Sequence, residues 1–70
     1  GGNMSCIVNA ANEVVNAGFR RGECGFLQMG DIIEQVMAKA NFDSQPDLDV
    51  YLQTDAEARR IAAELMKSAS

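Results

Sequence analysis

The sequence predicts an all-α fold, a small helical bundle of three main helices plus one short helix. Apolar residues recur at steps of three and four through most of the chain, and no stretch alternates apolar with polar residues as a half-buried strand does. Apolar residues make up 47% of the 70 positions but aromatics only 6%. Ala, Val, Ile, Leu and Met therefore supply the bulk, which suits helix packing on helix. Residues 1–70 are expected to form a single domain. A chain this short buries only about 60% of its unfolded surface, so its core is marginal without a helper.

The first helix is expected over about residues 4–20. Met4, Ile7, Val8, Ala11, Val14, Val15 and Phe19 form its stripe, and Asn3 or Ser5 can cap it. Ala10 and Ala17 place small residues where another backbone can approach. Gly18 weakens the last turn by up to ~1 kcal/mol relative to Ala. Arg20 and Arg21 suit the negative end of the helix dipole, and Gly22 is the natural stop. Gly22 to Gly25 is a tight connector, with Phe26 and Leu27 expected to anchor it in the core. The second helix is expected from about Met29 to Ala40, with Ile32, Ile33, Val36, Met37 and Ala40 on its stripe.

A polar loop follows from Asn41 to Pro46, with Phe42 expected to tuck back onto the second helix. Pro46 and Asp47 then open a short third helix over about 48–53, carried by Leu48, Tyr51 and Leu52. Thr54-Asp55-Ala56-Glu57 has the form of a capping box and is expected to start a fourth helix over 55–67. Ala58, Ile61, Ala62, Leu65 and Met66 form its apolar stripe. Gly1 and Gly2 carry no structural signal, and Ser68 to Ser70 are expected to fray.

Composition excludes several functions. The formal charge of −4 argues against nucleic acid, whose affinity comes mainly from neutralised phosphates, and against an anionic membrane surface. No apolar run approaches the roughly 20 residues of a membrane span. There is no His, and Cys6 and Cys24 have neither zinc nor CxxC spacing. Free thiols in the reducing cytoplasm are expected. The remaining helper for a small core is a partner surface.

The candidate site is the cluster of Asn9, Asn12 and Glu13. Asn9 and Glu13 are four apart on one helix face, and Asn12 lies beside Glu13. Such groups suit tying this helix to neighbouring chain better than they suit catalysis. Other patterns fail on inspection. Counting an EF-hand from Asp47 puts Leu52 where Gly belongs and Ala58 where Glu belongs. The Gly22–Gly25 spacing lacks the basic setting of an RNA-clamping loop, with Glu23 inside it. Asp31 with Glu34, and Asp55 with Glu57, lie at expected helix starts, where the dipole alone favours carboxylates. No nucleophile has a base beside it. No catalytic, cofactor-binding or metal-ligating residue is therefore assigned.

Asn9-Ala10-Ala11-Asn12-Glu13-Val14, followed by Ala17, Phe19, Gly22, Gly25-Phe26-Leu27, Ile32-Ile33-Glu34 and Asp55-Ala56-Glu57-Ala58-Arg59, resembles the C-terminal helical domain of 1-deoxy-D-xylulose 5-phosphate reductoisomerase. The likeness covers about residues 3–67. It implies a parent enzyme that uses NADPH and Mg²⁺ or Mn²⁺ to make 2-C-methyl-D-erythritol 4-phosphate for non-mevalonate isoprenoid synthesis. It also implies that the metal, cofactor and substrate residues lie in other domains, so this chain alone is expected to be inactive. The implied partners are those remaining domains. An excised domain of this kind is expected to expose apolar surface along helix one and to self-associate. Asn16, Gly18, Gln28 and Gly30 depart from the usual pattern of that domain and suggest a divergent, less stable member. The alternative is an independent helical protein–protein interaction module that offers helix one or a Met-containing face to a partner helix.

Overall fold

Helix α1 (Met4–Arg20) buries Ile7, Ala10, Ala11, Val15 and Gly18 along one stripe. The computed structural model describes residues 2–69. The expected silence of Gly1 and fraying of Ser70 lie outside them, whereas Ser68 and Ala69, also expected to fray, continue the last helix. Helix α1 closes as its sequence suggests. The Glu23 N–H donates to the Gly18 carbonyl at 2.8 Å and the Gly22 N–H to that of Phe19 at 3.0 Å. This reciprocal pair requires a left-handed residue after the cap, and Gly22 supplies it with φ +77°. An Arg21–Glu23 ion pair at 2.8 Å braces the same turn. The hydrogen bond from Arg21 holds the Glu23 carboxyl below its ordinary range. That exposed pair contributes above the ordinary carboxylate pKa and loses its contribution as pH falls through the folded one.

Helix α2 (Phe26–Lys39) starts three residues earlier than expected. Gln28 is a poor cap residue, but it lies inside the first turn and works from there. Its side-chain oxygen accepts the Gly25 N–H at 2.6 Å, and its own N–H donates to the Gly25 carbonyl at 3.1 Å. Phe26 and Leu27 do not anchor the connector: they are 73% and 87% exposed. Cys24 takes that place, buried with its thiol donating to the Val15 carbonyl at 3.7 Å. Phe42 does not tuck away either and stays exposed.

Helix α3 runs unbroken from Leu48 to Ala69, 22 residues. The expected short helix over 48–53 and the fourth helix are one element. Asp47 caps it as anticipated, its carboxylate accepting the Val50 N–H at 2.9 Å. After that start, no Gly or Pro interrupts the chain before Ala69, so a second start at Thr54 is not needed. Thr54 is a buried interior residue whose hydroxyl accepts from Asn3 Nδ2 at 2.8 Å. Glu57 does not reach back along its helix. Its carboxylate accepts the Asn41 N–H at 2.7 Å and so holds the α2–α3 loop.

The three helices pack pairwise into a body 35 × 16 × 16 Å. Ile7, Val15 and Val36 are the largest fully buried apolar side chains. Ala10 and Ala11 of α1 meet a core that also holds Ala58 and Ala62 of α3. Small residues on both helices let their backbones approach closely. Gly18 extends this device: a Cβ there would lie 2.4 Å from the Met66 sulfur.

Asn3 closes the bundle at the end where α1 begins. It stands at the cap position but its side chain makes no cap hydrogen bond. Its amide nitrogen donates to the Asn41 carbonyl at 3.0 Å and to Thr54 Oγ1 at 2.8 Å. Its amide oxygen accepts the Asp43 N–H at 2.8 Å. Its backbone N–H donates to the Asp43 carbonyl at 3.0 Å. One fully buried side chain thus joins α1, the α2–α3 loop and α3.

Candidate functional site

The predicted cluster lies on the outer side of α1. Asn9, Asn12 and Glu13 are all exposed. Asn12 is engaged along its own helix, its backbone and side-chain oxygens accepting from Asn16 Nδ2 at 2.8 and 2.9 Å. This gives Asn16 a local role. Glu13 turns toward α3 and pairs with Arg59. Arg59 also donates to Asp55 Oδ2 at 2.9 Å. The structure therefore joins Glu13 to Arg59 and Asp55 across the α1–α3 seam, rather than gathering Asn9, Asn12 and Glu13 around one pocket.

The hydrogen bonds that Arg59 donates, to Asp55 first and then to Glu13, raise its pKa, so the guanidinium stays charged. Its site is open to solvent, where such pairs contribute little and are screened by salt. The Asp55–Arg59 half is visible in sequence as a pair four apart on a helix. The link to Glu13 has no local signal.

Cys6 lies near this seam. Its thiol donates to the Tyr51 carbonyl at 3.7 Å. Burial first, and then the charge of Asp55, push its pKa up, with Arg59 opposing. Cys6 and Cys24 are both free thiols. Cys24 bonds at Val15, roughly 13 Å along the α1 axis from Cys6, beyond disulfide reach. Native-state alkylation at pH 7.5 should thus modify Cys6 slowly and Cys24 only after unfolding. Mass spectrometry of labelled peptides checks this; rapid labelling of Cys24 would contradict its burial.

At the other end of α1 a groove of about 480 Å³ is lined by Val14, Ala63, Met66 and the charged Arg21, Glu23 and Lys67. It contains no nucleophile–base pair. Among the described residues no group of three His, Cys, Asp or Glu could hold a metal ion. Among them, too, no buried side-chain nitrogen or oxygen lacks a partner, and no helix is long and apolar enough to cross a membrane.

Apart from Met37 on α2, the exposed large apolar side chains fall into two groups, neither of them the expected strip along α1. Phe19 meets Phe26 edge to face, ring centres 6.3 Å apart, with Leu27 next in sequence. Leu48, Tyr51 and Leu52 are exposed at the start of α3, where Phe42 of the preceding loop is also open.

The family described as DXP reductoisomerase C-terminal domain matches residues 1–61. Over 66 residues the chain is 61% identical to the 1-deoxy-D-xylulose 5-phosphate reductoisomerase of Bacteroides fragilis, covering 94% of this chain and 17% of that protein. The Bacteroides thetaiotaomicron enzyme of the same name is 62% identical over the same shares of both chains. That of Listeria monocytogenes is 39% identical, again over 94% and 17%. The chain thus spans about one sixth of the length of the curated relatives it matches. No solved structure matches it.

Proposed function

The chain belongs to the DXP reductoisomerase C-terminal domain family, and from that membership we propose that it is the helical scaffold domain of a 1-deoxy-D-xylulose 5-phosphate reductoisomerase. The carrying observation is the 61% identity to such an enzyme over nearly all of this chain. The parent would convert its substrate to 2-C-methyl-D-erythritol 4-phosphate, using NADPH and Mg²⁺ or Mn²⁺, in the cytoplasm. Its cofactor and metal residues would lie in the other domains. The residues at hand support a structural part: a tied-off core, an ion-paired seam and open apolar groups at both ends.

Asn9, Asn12 and Glu13 take a positioning role in this reading. The amides of Asn9 and Asn12 offer donors and acceptors to adjacent backbone of the parent. Glu13 holds α1 to α3 through Arg59. The isolated domain, with Phe26, Leu27, Leu48 and Leu52 all more than 60% exposed, would self-associate through these apolar groups.

The test is an assay of the full-length protein. Addition of 1-deoxy-D-xylulose 5-phosphate with Mg²⁺ or Mn²⁺ should produce NADPH oxidation, followed by loss of absorbance at the nicotinamide band. The 70-residue chain alone should produce none. No turnover by the full-length protein with either metal would overturn the assignment.

A further inference from the structure

We propose that the apolar side chains opening α3, Leu48, Tyr51 and Leu52, together with Phe42, are covered by the polypeptide that leads into this domain in the full-length reductoisomerase. The inference rests on the family reading and adds to it the docking surface. Leu48, Tyr51 and Leu52 are 73%, 40% and 63% exposed, and Phe42 is 53% exposed. Their spacing of three and four places the α3 residues on one stripe. Exposed apolar side chains gathered at one end of a bundle are the usual mark of a contact surface.

Chain direction identifies what covers it. Gly2 has φ +82°, and a Cβ on it would lie 2.7 Å from the Asp43 carbonyl oxygen and 3.0 Å from the Phe42 ring. Far from silent, Gly2 is a close-packed turn against the α2–α3 loop, where any larger residue would clash. Asn3 then fastens the chain to Asn41, Asp43 and Thr54. Gly2, the first residue described, therefore lies beside Phe42, at the end of the bundle where α3 starts. The chain covers only 17% of its relatives, so a full-length protein has ample length to fill the surface. The other apolar group, Phe19, Phe26 and Leu27, lies at the far end of α1, roughly 25 Å away along the helix. Asp43, Asp47 and Asp49 border the proposed surface in sequence, so the covering face should be apolar with a basic rim.

The test uses full-length protein carrying Leu48→Cys or, separately, Leu52→Cys. Maleimide labelling at each position is followed by peptide mass spectrometry, relative to the same variant unfolded in guanidinium. NADPH turnover is measured on the same samples. Each variant should label at least tenfold more slowly when native, at every protein concentration used. Unprotected labelling in an active enzyme overturns the surface and leaves the family reading standing. Protection that vanishes on dilution assigns the face to a second copy and overturns the proposal equally. Absence of turnover in the unsubstituted protein counts against the enzyme reading, whatever the labelling rates.

Discussion

Replacing Asn3 with Ala should destabilise the domain by about 3 kcal/mol, an unusually large effect for a polar residue. Asn3 is fully buried. Its side chain makes three hydrogen bonds, to residues 38, 40 and 51 positions away. Ala removes all three and strands the Asp43 N–H and the Thr54 hydroxyl. A typical bond contributes about 1 kcal/mol net, and leaving a buried partner unsatisfied adds to the loss. Small domains have only about 5–15 kcal/mol in total, so the melting temperature should fall by roughly 12–24 °C. Thermal unfolding followed by circular dichroism reads this directly. Asn3→Asp is a sharper control. It keeps the shape and the acceptor for Asp43 N–H, but faces the Asn41 carbonyl with oxygen instead of a donor. It should cost at least as much as Ala. A loss below about 0.5 kcal/mol in both variants would mean that the bundle does not depend on this junction.

Ile7→Ala should cost about 3 kcal/mol, within the range of about 2–5 kcal/mol for large-to-small changes at closed sites. Ile7 is fully buried and, with Val15 and Val36, is among the largest apolar groups sealed in the core. Ala residues fill much of the remaining α1–α3 contact, and they cannot move to refill a cavity. The comparison, made at a dilution where the domain is monomeric, is Leu27→Ala, at a side chain 87% exposed, which should change stability by less than about 0.5 kcal/mol. Urea unfolding of the two variants should show a lower midpoint for Ile7→Ala at an unchanged slope. Similar losses at both positions would indicate that Leu27 is buried in the molecule as it exists in solution, for instance by self-association.

These two residues mark what a sequence can disclose here. Ile7 is legible because its signal is local: apolar spacing places it on the inner stripe of α1, and the structure agrees. The close at Gly22, the cap at Asp47 and the stripe from Ala58 to Met66 are legible for the same reason. Asn3 is not. An Asn before a helix reads as a cap, whereas its partners lie some forty to fifty residues away. Thr54 and Glu57 mislead in the same manner. Their spacing imitates a helix start, but their oxygens are spent on Asn3 and on the loop, and α3 passes through them unbroken. Phe26 and Leu27 fail differently. Hydropathy says that they favour leaving water, but not whether this chain supplies the cover. Of the candidate site, the position of Asn9, Asn12 and Glu13 on α1 was legible; the Arg59 partner of Glu13 was not.

The most direct test of a scaffold role is steady-state kinetics on the full-length enzyme carrying Asn9→Ala, Asn12→Ala or Glu13→Gln. These are the polar groups of the domain with a claim to a site. A positioning role predicts kcat within about threefold of the unsubstituted enzyme at 25 °C, with the loss appearing as faster thermal inactivation. A fall in kcat of a hundredfold or more, with thermal inactivation unchanged, would place one of these groups in the chemistry and contradict the account.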